Sequence, residues 1–95
     1  MNELPIPPAA KSARQAIELA RVWAADGAQH VCLQTGVWAD PAAWGLMLVD
    51  LARHVARAYE QTGTCSREDA LARIRAAFDA EWAHPTDDPV GNRQG

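Results

Sequence analysis

The sequence predicts an α+β fold: an antiparallel β-hairpin followed by two antiparallel α-helices (ββαα), with an extended N-terminal arm and a mobile C-terminal tail. Three observations predict it. Apolar residues alternate on both sides of Asp26-Gly27, the period-two signature of paired strands around a tight turn. Two later stretches, Pro41 to Gln61 and Ser66 to His84, repeat their apolar residues at helical spacing. Both ends are rich in proline. The 95 residues suit one domain over 1–95, with a folded unit of about 13–84. Apolar residues make up 48% and charged residues 22%, a globular composition rather than a disordered one.

The arm, Leu4-Pro5-Ile6-Pro7-Pro8, reads as extended, because each proline fixes its own φ and disfavours helix in the residue before it. Residues Ser12 to Ala25 admit two readings. Ser12 followed by Gln15 resembles a capping box, and the alanine-rich stretch suits a helix. Ile17, Leu19 and Trp23, however, sit at even spacing, and His30-Val31-Cys32-Leu33 is a short strand that needs a partner. The hairpin is therefore the reading adopted, with a helix over Ser12–Ala25 as the alternative. A three-residue loop, Ala25-Asp26-Gly27, sets Leu19 opposite Leu33 and Arg21 opposite Val31. One face then carries Ile17, Leu19, Trp23, Val31 and Leu33; the other carries Val22, His30 and Cys32.

The first long helix begins at Asp40 as N-cap, with Pro41 in its first turn, and ends near Gln61, where Gly63 stops it. Trp44, Met47, Leu48, Leu51, Val55, Ala58 and Tyr59 form one stripe. Gly45, Val49, Ala52 and Ala56 form a second seam of small residues beside it. The combined apolar arc spans roughly 200°, about twice what a surface helix needs, so one packing partner cannot cover it. The second helix starts at Ser66, followed by Glu68 and Asp69 in a first turn that suits the helix dipole. Leu71, Ile74, Phe78 and Trp82 form its narrow stripe, and His84-Pro85 ends it. Pro85 to Gly95 reads as a mobile tail.

Leu4-Pro5-Ile6-Pro7-Pro8, Arg21-Val22-Trp23, Asp26-Gly27, Trp38-Ala39-Asp40-Pro41-Ala42-Ala43-Trp44-Gly45, Asp50-Leu51-Ala52-Arg53-His54 and Phe78-Asp79-Ala80-Glu81-Trp82 together resemble a family of small uncharacterised bacterial proteins, a domain of unknown function. The resemblance covers nearly the whole chain. It implies a small αβ fold and a bacterial cytoplasmic setting, and it favours the hairpin over the helix at Ser12–Ala25. It transfers no catalytic residue.

Net charge is −3, which argues against a non-specific nucleic-acid binder. The helical region holds Arg53, Arg57, Arg67, Arg73 and Arg75 against Asp50, Glu60, Glu68, Asp69, Asp79 and Glu81, a balanced and solvated surface. No nucleic-acid partner is expected. The start lacks a basic region followed by an apolar run, and the longest apolar run, Ala42 to Val49, is too short to span a bilayer. Cys32 and Cys65 are too few for a disulfide scaffold. The expectation is a cytoplasmic protein with reduced thiols and no membrane contact.

His30 and Cys32 share a strand face, but the paired ligand spacings of structural zinc sites are missing, so no metal or other cofactor is expected. Asp50 and His54, four apart on a helix, form half of a catalytic arrangement without a nucleophile; a solvated ion pair is the plainer reading. No catalytic residue is assigned. Two function classes follow. The first is a small non-enzymatic interaction or adaptor protein acting as a homodimer with an unidentified protein partner, its interface at Gly45, Val49, Ala52 and Ala56 or at the open edge of the hairpin. The second is a ligand binder or enzyme with a pocket at Trp23, His30, Trp38 and His54.

Overall fold

The computed structural model describes residues 3–86. They fall into two compact units, one within residues 3–37 and one within 38–86. Across them the order is a short α1 (Pro8–Ser12), β1 (Ala20–Ala25), β2 (Ala28–Leu33), α2 (Ala42–Gln61) and α3 (Arg67–Ala83), so the chain is α+β with hairpin and helices in ββαα order. The tail from residue 87 onward lies outside the described residues.

In the first unit, the arm is irregular through Pro7, and α1 takes in only the last residue predicted as extended, Pro8. Pro8 occupies a first-turn position, where its missing N–H leaves no bond unmade. The Pro7 carbonyl accepts from the amides of Ala10 and Lys11 at 3.0 and 3.2 Å. Ser12 is thus the end of a helix and not an N-cap, and its hydroxyl donates to the Pro8 carbonyl at 3.2 Å. Arg21 ties the arm to the strand, donating to Glu18 at 2.8 Å and to Glu3 at 2.7 Å. Both carboxylates, Glu18 foremost, raise the Arg21 guanidinium above its ordinary value.

The hairpin is present, but its register differs by one residue from the one the sequence predicts. Ala20 pairs with Leu33, Arg21 with Cys32, Val22 with Val31 and Trp23 with His30. The connection is a two-residue turn, because Ala25 and Ala28 also pair. Asp26 (φ 51°) and Gly27 (φ 78°) both lie in the left-handed region, as a type I′ turn requires. Aspartate tolerates that region better than most residues, and the primed turn matches the right-handed twist of the strands. This outweighs the three-residue loop. The shift divides the predicted apolar face: Val22, Val31 and Leu33 share one side, while Trp23 joins His30 and Cys32 on the other. Ile17 precedes the strand and is exposed.

The second unit is a helical hairpin. The N-cap position falls on Pro41, one residue after the predicted Asp40; the Asp40 carboxylate still accepts from the Ala42 amide at 2.9 Å and satisfies a donor of the first turn. At the other end of α2, the Gly63 amide donates to Glu60 and the Thr64 amide to Tyr59, at 3.0 and 3.1 Å. With Gly63 at φ 78°, this is a Schellman stop. Ser66 caps α3, its hydroxyl accepting from the Asp69 amide at 3.1 Å. The Glu60 carboxylate accepts from the Arg67 amide at 3.1 Å and pairs with its guanidinium at 3.6 Å, joining the end of α2 to the start of α3. Beyond α3, Thr86 donates back to Glu81. Among the described residues, no helix is long and apolar enough to cross a membrane.

Candidate functional site

Enclosure within the helical hairpin is concentrated near its turn. Ala56, six residues before Thr62, is fully buried, and Ala70, four residues after Ser66, is nearly so. Towards the open end the lining residues grow large, and a cleft of about 840 Å³ separates the helices. From α2 it is lined by Trp44, Leu48 and Ala52, four apart, and by Gly45 and Val49 beside them. From α3 it is lined by Leu71, Ile74, Phe78 and Trp82.

Two aromatic pairs stand at the open end. Trp38 meets Trp44 edge-on, with ring centroids 5.2 Å apart and planes at 80°. Phe78 and Trp82 stack at 5.6 Å and 21°, as four-residue spacing on one helix allows. Such pairs contribute about 0.5–1.5 kcal/mol beyond their buried area. The second pair remains open to solvent: Phe78 is 47% exposed and Trp82 77%. Charge is confined to the rim. Arg75 shares its Nε–H between the two Asp79 oxygens at 3.1 and 2.9 Å, and Arg53 stands on the α2 side. Chemically, the lining offers apolar contact with two cations and one anion at its border. It is suited to recognition.

Of the predicted interface residues, Gly45, Val49 and Ala52 line this cleft, and Ala56 lies in the enclosed region by the turn. Leu71, Ile74, Phe78 and Trp82 are not assigned to any site by the sequence reasoning, which treats them as the core stripe of α3. The signal was present: so short a chain has too little else to cover both that stripe and the wide arc of α2. Of the predicted pocket residues, Trp23 and His30 are cross-strand partners in the first unit. Trp38 and His54 belong to the second unit, Trp38 against Trp44 and His54 on an exposed part of α2. A shallow depression of about 130 Å³ at the open end of the β-hairpin is lined by Leu19, Arg21, Cys32 and Leu33 among others, and by neither Trp23 nor His30. Among the described residues, no hydrogen bond or ion pair joins Asp50 to His54, and no three His, Cys, Asp or Glu side chains converge where they could hold a metal ion.

Comparison with known proteins gives a family and a fold relative. The model of the family described as "Domain of unknown function (DUF5076)" matches residues 3–86. A solved structure, described as that "of a putative pyruvate dehydrogenase from the photosynthetic bacterium Rhodopseudomonas palustrus CGA009", is similar at 36% identity and a TM-score of 0.76. The alignment covers 100% of this chain and 97% of that one. No curated protein matches.

Proposed function

The chain belongs to the DUF5076 family, and from that premise we propose that it is a small non-enzymatic interaction protein, an adaptor in the bacterial cytoplasm, that acts as a homodimer and binds a further protein. One observation carries the reading: the helical hairpin leaves large apolar side chains in water. Leu48, Val49 and Leu51 are each about half exposed, and Trp82 is 77% exposed. Each fully buried side chain of this class contributes about 1.5–3 kcal/mol, so an arrangement that covers them is strongly favoured. Contiguous apolar patches of this kind on a small chain mark association sites.

Sedimentation equilibrium of the full chain tests the homodimer. The expected species at tens of micromolar is about 21 kDa, twice the 10.3 kDa of the chain. A 10.3 kDa species persisting to several hundred micromolar overturns it.

The description of the solved relative supports a second reading, a small component of a dehydrogenase system, with the cross-strand neighbours Trp23 and His30 as ligand-contacting residues. The relative's chain is nearly coextensive with this one. Pyruvate-dependent reduction of an electron acceptor by the purified protein, lost in a His30→Ala variant, would support this reading over the first.

A further inference from the structure

We propose that a second copy of this chain seats on the cleft between α2 and α3, its Trp82 ring entering over Gly45 and Ala52, so that the homodimer is a two-fold cluster of four helices. The inference rests on the homodimer reading and specifies which surface makes it.

Three features point to this occupant. The first is Gly45. Glycine is a poor helix former, yet it stands in the first turns of α2. Nothing among the described residues explains it: φ is not positive there, and a Cβ at that position would meet no atom within 4 Å. An element from outside that approaches the backbone closely does explain it.

The second feature is shape. The same molecule carries a prominent ring, Trp82, and a floor of small residues, Gly45 and Ala52, in the wall of one cleft. Two-fold symmetry presents each copy's protruding ring to the other's floor, and the contact is made twice. A tryptophan inserted into a desolvated recess is also the residue type that dominates interface energetics.

The third feature is area. The exposed parts of the large apolar side chains along the cleft and on the adjoining stripe of α2, which includes Leu51, Val55 and Tyr59, come to about 700 Å², taking roughly 200 Å² for a whole side chain. A stable interface buries about 800 Å² on each partner. A dimer that covers the cleft together with the adjoining stripe of α2 therefore approaches the ordinary size, with the Arg53 and Arg75–Asp79 charges left at its border, where polar groups of an interface belong.

The test is the dimer dissociation constant of the full chain, measured by sedimentation equilibrium, for the native protein and for Trp82→Ala and Gly45→Leu. A Cβ at position 45 meets no atom within 4 Å and leucine improves helix propensity, so the circular dichroism of Gly45→Leu is expected to match the native protein. Both variants are expected to raise Kd at least about 30-fold, the loss that marks a central anchor. A native dimer whose Kd is unchanged in both variants overturns the cleft and leaves the homodimer standing, with the hairpin edge as its contact. A native protein that stays monomeric to several hundred micromolar overturns the cleft and the homodimer together.

Discussion

Gly36 and Gly63 show how much a single backbone angle decides. Neither would bring a side chain within 4 Å of another atom, so sterics from neighbours are absent at both. Only Gly63 has positive φ, at 78°, and its amide completes the stop of α2. Gly63→Ala is expected to cost about 1–2 kcal/mol, the left-handed penalty of an L-residue. Gly36→Ala is expected to be neutral or to stabilise by up to about 1 kcal/mol, through the unfolded chain. Urea unfolding of both variants checks this, and equal midpoints would count against it. At this scale the sequence was legible. Ser66 as a cap, Asp40 at the head of α2 and Gly63 at its end are chemical choices that need no tertiary context. Ser12 was misleading, because the same hydroxyl that caps a helix start also bonds back to a helix end.

Among the elements, the hairpin existed in the sequence as an alternation, but its register did not. Two loops were compatible with Ala25-Asp26-Gly27, and a one-residue difference between them turns every side chain of one strand to the other face. The turn decides it, through positive φ at Asp26 as well as at Gly27. A cysteine placed at Arg21 checks the register. In a Cys65→Ala background, Arg21→Cys is expected to form an intramolecular disulfide with Cys32, its direct cross-strand partner, since opposed strand residues lie within disulfide range. Ala20→Cys, which pairs with Leu33, is expected to stay reduced. Mass spectrometry after mild oxidation reads both, and the opposite pattern would restore the three-residue loop. The helices were read more fully: α2 ends at Gln61 and α3 begins at Arg67, as the periodicity and the punctuation between them require. The short α1 escaped because proline counts against helix everywhere except in the first turn, where Pro8 stands.

For the whole molecule, the excess of apolar surface governs behaviour. If association covers the exposed stripe, the folded state is linked to concentration by mass action. The melting temperature is expected to rise by several degrees between about 1 and 100 μM protein, as a gain of 1–2 kcal/mol in a domain of this size implies. Calorimetry at the two concentrations measures it, and a constant midpoint would argue against association. Trp23 and His30 show the limit of reading a site from sequence at this scale. Both were candidates for one pocket, and the register made them neighbours for a reason unconnected with that choice.

By itself the sequence determined most of the local structure: where the two long helices run, that two strands pair through Asp26-Gly27, and that the apolar arc of α2 is wider than a surface helix needs. These follow from φ preferences, capping chemistry and periodicity, which act over a few residues. The tertiary structure alone decided the strand register and the cleft between α2 and α3. Both depend on how two segments meet: on which of two turn conformations joins the strands, and on buried alanines, Ala56 and Ala70, near one end of the helix pair while large rings at Trp44, Phe78 and Trp82 line the cleft.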